Sequence, residues 1–223
     1  MNRIFDVFIP IALFASLLIA ERPFPDFLPG LTGSELGLVE SLQAIFLLAA
    51  FVVSTSLLLR RPATPRWIRT WIAAGVIGSL YVFFEEISYG QHYLNWNTPE
   101  YWQAINDQKE TNFHNTSSWL DQKPRLILEI GVIIGGIIVP ALRRFRPQAL
   151  PERFQPILPD SALFTTAVLA IIPRIYERVI SMIGMDGWNL FSRTSEVQEL
   201  YFYYFILLYF IYLSRRLREA PRS

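Results

Sequence analysis

Long stretches of chain with almost no charged side chains constrain this sequence more than any other feature. Apolar blocks run at about 4–20, 36–59, 70–90, 125–142, 160–182 and 197–213, separated by shorter charged segments. A soluble fold alternates apolar and polar faces, whereas blocks of roughly 17–25 apolar residues are the length a lipid bilayer demands. Backbone groups in lipid must bond within their own segment, so the blocks are read as helices rather than strands. Composition agrees: 17% of the residues are charged, against roughly 25% in ordinary soluble domains. The expected fold is all-α: one transmembrane domain over residues 1–223, a polytopic bundle of about six membrane-spanning helices.

The arginines orient that bundle. Arg3, the group Arg60, Arg61, Arg66 and Arg69, the group Arg143, Arg144, Arg146 and Arg153, and the group Arg215, Arg216, Arg218 and Arg222 fall on one side of the alternating blocks, and together make 13 of the 20 basic residues. The opposite loops hold Arg22, Lys109, Lys123, Arg125 and Arg193. Basic residues stay cytoplasmic, so both termini are expected there, with the segments 21–35, 91–124 and 183–196 outside. The first block follows a basic start but ends Leu17-Leu18-Ile19-Ala20, without the small-x-small cleavage pattern, and is read as an anchor rather than a signal peptide. A net charge of +1 with no separate basic stripe argues against nucleic acid as a partner. The chain has no cysteine, which excludes disulfides, thiolate metal sites and covalent haem.

Two outer segments read as more than linkers. Pro23, Pro25, Pro29, Gly30 and Gly33 make 21–33 a turn-rich crossing. The 91–124 loop is long enough to carry structure and function of its own. Within it Thr98-Pro99-Glu100 is a helix start, so a short helix near 99–107 is expected to lie in the outer interface, where Tyr101 and Trp102 settle.

Charged groups inside spans are costly and mark functional interiors. Orientation places nearly all of them at one depth, toward the outside: Glu40, Glu85, Glu86, Glu129, Glu196 and Glu199, with Arg174, Glu177 and Arg178 in the fifth block. The chain's two histidines, His92 and His114, lie in the adjoining loop. On a continuous helix Glu85 and His92 share a face. Along Asn106-x-Gln108-x-Glu110-x-Asn112-x-His114-Asn115, an extended strand would turn every named polar residue up to His114 one way, and a helix would pair Glu110 with His114.

The motif pair Glu85-Glu86-x-Ser88-x-Gly90-Gln91 and Asn106-x-Gln108-x-Glu110-x-Asn112-x-His114-Asn115 resembles sequences of uncharacterised bacterial multi-pass membrane proteins, over about 30 residues. That pattern has tryptophan at the position of Tyr89 and arginine at that of His92, so His92 departs from it and His114 matches. The resemblance implies a bacterial inner-membrane location and brings no assigned activity.

The chemistry these residues suggest is that of a membrane enzyme acting on a lipid or lipid-linked substrate at the outer interface. In one version Glu85, Glu86, Glu110 and His114 hold a divalent metal such as zinc or manganese, with Glu129 either as base or as a hydrogen-bond partner behind the ligands. In another, Glu85, Glu86, Glu110 and Glu129 divide acid and base roles without metal. The plain alternative is that these groups pin the loop to the bundle. Arg174 and Arg178 read either as an anion clamp, with Asn112 and Gln91 completing substrate binding, or as members of an ion-pair network with the acids of neighbouring spans. The aromatic run from Tyr201 to Phe205 reads as lipid-facing or packing surface, and Gly131, Gly135 and Gly136 as a close helix contact, internal or in a homo-oligomer. The rival to an enzyme is an accessory subunit of a membrane complex, or a carrier. A carrier would place its polar groups at the midplane, which the outward bias of the acids opposes.

Overall fold

The computed structural model describes residues 3–21, 37–60, 64–106, 109–113 and 116–219. The turn-rich crossing at 22–36 lies outside them, as do Gln108, His114, Asn115 and the side chain of His92. The described chain is all-α, without a strand. Its helices are α1 (Ile9–Glu21), α2 (Leu38–Arg60), α3 (Arg66–Glu86), the single turn α4 (Gln91–Leu94), α5 (Glu100–Ile105), α6 (Ser118–Ile133), α7 (Val139–Phe145), α8 (Phe164–Met182) and α9 (Thr194–Glu219). Four rods are long and apolar enough to cross a membrane: α2, α3, the continuous α6–α7 rod over Gln122–Phe145, and α9. The first apolar helix, Ile4–Ala20, is shorter, and the 19-residue α8 carries Arg174, Glu177 and Arg178.

Burial identifies the hub. Within α9, 72% of the apolar stretch is buried, against 17% for α3. A helix that is apolar all round belongs in the middle of a bundle, and α9 packs against α2, α6 and α8. The aromatic run is therefore interior: Tyr201, Phe202, Tyr203, Tyr204 and Phe205 are all buried. This corrects the lipid-facing option and keeps the packing one. The physical reason lies in the hydroxyls, since a buried tyrosine needs a partner for its polar tip. Tyr201 Oη donates to the Pro10 carbonyl at 2.7 Å, Tyr204 to the Phe5 carbonyl at 2.8 Å, Tyr209 to the Ile157 carbonyl at 2.8 Å and Tyr212 to Asp6 Oδ1 at 2.5 Å.

Pro10 explains one of these bonds. Residues Ile4–Phe8 form a π-helical turn in which Ile9 N–H reaches back to the Ile4 carbonyl. The next carbonyl, that of Phe5, would take its π-type bond from residue 10, and proline has no N–H to give. Tyr204 supplies the missing donor from α9. A second π turn, Ile134–Ile138, likewise precedes a proline, Pro140. It carries Gly135 and Gly136 into the bundle. A β-carbon on Gly136 would strike the Ala167 side chain and come within 2.7 Å of Phe205, so this glycine contact is internal, between α8, α9 and the α6–α7 rod.

The bundle has two chemically distinct ends. At the basic pole Arg216 donates to the carbonyls of Gln155 and Leu158 at 3.2 and 2.5 Å and pairs with Asp160 at 3.6 Å, and Arg153 lies over the Trp67 ring. The opposite, acidic pole gathers the ends of α2, α3, α6 and α9 with the segment that follows α3.

Candidate functional site at the acidic pole

Instead of continuing to residue 90, α3 stops at Glu86 and the chain turns left-handed. Ser88, Tyr89 and Gly90 have φ of 44°, 54° and 88°. Only glycine enters that region freely, and the two non-glycine residues there cost roughly 1–2 kcal/mol each. The turn breaks the helical register, so Glu85 and the residues after Gly90 do not share a helix face as a continuous helix would require.

Hydrogen bonds hold the strained turn and knit the following loop to it. Glu85, 3% exposed, accepts from Tyr89 Oη at 2.8 Å and from the Phe113 N–H at 2.8 Å. Glu110 accepts from Ser88 Oγ at 3.2 Å and from Asn112 Nδ2 at 3.0 Å. Asn112 Nδ2 also donates to Ser88 Oγ at 2.8 Å, while Asn106 Nδ2 donates to Asn112 Oδ1 at 2.8 Å. Gln91 takes the Thr111 N–H at 2.7 Å and donates to Thr98 Oγ1 at 2.6 Å. At Lys109 the backbone is left-handed, with a φ of 58°, and its N–H returns to the Asn106 carbonyl. Glu85, Gln91, Glu110 and Asn112 thus come together as a clasp that pins the loop to the end of α3. Removal of the Tyr89 hydroxyl from water, reinforced by its bond to the Glu85 carboxylate, pushes this phenol above its ordinary value of 10.0.

Glu86 points elsewhere. Its Oε1 accepts from Tyr203 Oη of α9 at 2.6 Å. Beside it Arg125 of α6 pairs with Glu199 of α9 at 2.6 Å, the two side chains 25% and 13% exposed. Gln43 of α2, fully buried, donates through Nε2 to the Glu196 carbonyl at 2.9 Å and to its carboxylate at 3.3 Å. Glu40 lies in the field of Glu196, Glu86 and Arg193. This second group therefore draws on four helices: Glu40 and Gln43 of α2, Glu86 of α3, Arg125 of α6, and Glu196, Glu199 and Tyr203 of α9.

An apolar groove of about 490 Å³ begins directly beneath it, within the roughly 300–1,000 Å³ of small-molecule sites. Its walls are α3 and α6 and its floor is α9 with Leu47 of α2. Helical spacing ties groove to acids. Gln43 and Leu47 are i, i+4 on α2, Val82 and Glu86 i, i+4 on α3, Arg125 and Leu128 i, i+3 on α6, and Tyr203 and Ile206 i, i+3 on α9. In each pair one member lines the groove and the other belongs to the polar group one turn above. From Trp71 to Val82 the groove follows α3 for about 16 Å, half of a roughly 30 Å hydrocarbon core. Two glycines shape it. A β-carbon on Gly75 would run into the Phe210 ring, whereas one on Gly78 would meet nothing within 4 Å.

The remaining predicted residues fall outside this arrangement. Arg174 pairs with Glu177 of its own helix at 2.5 Å, and Arg178 is exposed. Helix α8 packs on α9, on α1 and on the π turn of the α6–α7 rod, away from the groove. Glu129 is half-buried on α6, one turn from Arg125. Among the described residues no three acidic or histidine side chains gather as a metal site, so Glu85, Glu86 and Glu110 form none, and His114 lies outside the described residues. Gln43, Arg125, Glu196, Glu199 and Tyr203 are the site residues that sequence reasoning did not select. Depth alone marked the two glutamates. In comparisons with known proteins, no family model, no curated protein and no solved structure matches this chain.

Proposed function

We propose that this chain is a six-span cell-membrane protein that binds a lipid or lipid-linked molecule from the outer leaflet, chain in the groove and head at the acidic pole. The observation that carries the reading is the direct continuity of an apolar groove with a buried polar group on the same helix faces. The basic pole is cytoplasmic by the arginine bias, with α1 and α8 as the two further spans. Tyr93, Leu94, Trp96, Tyr101 and Trp119, all exposed, suit a loop lodged in the headgroup region, where aromatic rings settle. The bacterial inner membrane is the location that the motif pair implies.

In the enzymatic form of this reading, acid and base chemistry on the head falls to Glu86 and Glu199, which stand at the mouth of the groove, rather than to Glu85 and Glu110, whose oxygens hold the loop. A second reading, an accessory subunit of a membrane complex, is favoured by one fact: the clasp engages the carboxylates of both Glu85 and Glu110 in loop contacts.

Gly78 provides the test. A leucine there enters the groove from a position with no neighbour to displace. Extraction in a mild detergent followed by native mass spectrometry should show a lipid retained in stoichiometric amount by the parent chain and lost from Gly78→Leu. Equal retention by both, or no bound lipid in the parent, overturns the proposal.

A further inference from the structure

We infer that the groove measures the length of the chain it holds, with Trp71 as the stop. The inference rests on the lipid reading above and gives its ligand a class: an amphiphile that presents one hydrocarbon chain of about 18 bonds. The two ends of the groove differ. Toward the acidic pole its walls run on into polar side chains one turn above. At the far end Trp71 and Tyr209 close it. Trp71 Nε1–H donates to Tyr209 Oη at 2.7 Å, and that hydroxyl donates in turn to the Ile157 carbonyl at 2.8 Å. This relay ties the indole of α3 across to α9. One turn further on, Trp67 of α3 and Leu213 of α9 belong to the packed core and take no part in the lining.

Dimensions set the class of chain. Trp71 lies fifteen residues before Glu86, about 22 Å along α3. That exceeds the roughly 15 Å of one hydrocarbon leaflet. An extended chain of single bonds advances roughly 1.2 Å per bond, so about 18 bonds reach from the mouth to the stop. About 490 Å³ spread along about 16 Å is a mean cross-section of about 30 Å², one chain wide and not two abreast. Apart from Trp71, Ser79, Tyr81 and Tyr209 the lining is hydrocarbon, so a polar head stays at the mouth. Chain length alone then decides how far the terminal methyl travels. A shorter chain leaves the wall near Trp71 without contacts. A longer one meets the indole and must bend out of the groove.

Decanoyl, myristoyl, stearoyl and behenoyl lysophosphatidylcholine share one head and differ only in chain length. The full chain in maltoside micelles would be offered all four at equal micellar mole fraction, and native mass spectrometry would count each retained lipid. The stearoyl form is expected to exceed each of the others at least threefold. Ala74 lines the groove three residues nearer the mouth and is exposed, clear of the core. A ring there shortens the groove by about 4.5 Å, about four bonds, so Ala74→Phe should move the optimum to the myristoyl form. Trp71→Ala removes the stop and should raise the behenoyl form to the level of the stearoyl one; Ala74→Phe decides alone where that variant does not fold. Equal retention of all four lipids by the parent, or an unmoved optimum in Ala74→Phe, overturns the length measure and leaves the groove standing if Gly78→Leu still lowers retention. Retention that Gly78→Leu does not lower, or none at all, overturns the lipid reading and the length measure together.

Discussion

Replacing Arg125 by alanine isolates the chemistry of the acidic pole most directly. The guanidinium lies 2.6 Å from Glu199, whose side chain is 13% exposed. Removing it leaves a carboxylate in a weakly hydrated pocket with Glu86 and Glu196 nearby. Breaking a buried pair from one side costs about 3–5 kcal/mol, and the partial exposure of Arg125 selects the lower end, about 3 kcal/mol. For a chain of this length each kcal/mol moves the melting point by about 2–4 °C, so the expected fall is about 6–12 °C. Thermal unfolding at fixed detergent and lipid concentration measures it. The informative companion is Arg125→Ala/Glu199→Gln, which removes both charges and leaves a neutral amide where the acid stood. That double variant should recover more than half of the loss. A fall below about 2 °C for Arg125→Ala, or a double variant no more stable than the single one, refutes the argument that an uncompensated charge is the cause.

Other expectations concern packing, the proline-freed carbonyl and pH. Gly136→Ala should cost about 1–3 kcal/mol in the same melt, because Ala167 and Phe205 occupy its β-carbon position, while Gly131→Ala, with no neighbour within 4 Å, should leave the melting point unchanged. Tyr204→Phe removes the hydroxyl that donates to the Phe5 carbonyl and should cost about 1 kcal/mol; hydrogen exchange should rise first in residues 4–12. Tyr89 has its phenol raised in the folded state, so its contribution to stability is fully present below pH 10.0 and is lost as pH climbs beyond that value. The Tyr89→Phe chain should therefore lose less stability than the parent between pH 10 and 12, and equal losses would remove Tyr89 from the account.

Much of the scaffold was legible because lipid imposes a simple rule: α2, α3, the α6–α7 rod and α9 coincide with the long apolar blocks. The end of α3 was not, since a left-handed Ser88-Tyr89 pair announces itself only through Gly90, and the hydrogen bonds that compensate the strain come from residues about twenty positions downstream. The place of α9 was hidden for a related reason. Tyrosine-rich spans look alike whether they face lipid or core, and the deciding partners, a carbonyl freed by Pro10 and another at Ile157, are chosen by tertiary packing. Arg125 read as one more loop cation until the fold brought Glu199 beside it. The groove depends on which face Gly75 and Gly78 present, and that is set by neighbours rather than by spacing. Alternation in 106–112 did foreshadow the convergence of Asn106, Glu110 and Asn112, which hydrogen bonds bring together around the left-handed Lys109.

The hub helix is also the last of the described helices along the chain. Until it emerges, Phe5 and Ile157 wait for their hydroxyl donors, Glu86 waits for Tyr203, and Gly136 waits for the ring that fills its space. A chain truncated before Thr194 lacks all of these contacts, so it is expected to be degraded faster than one that extends to Glu219, where they can form.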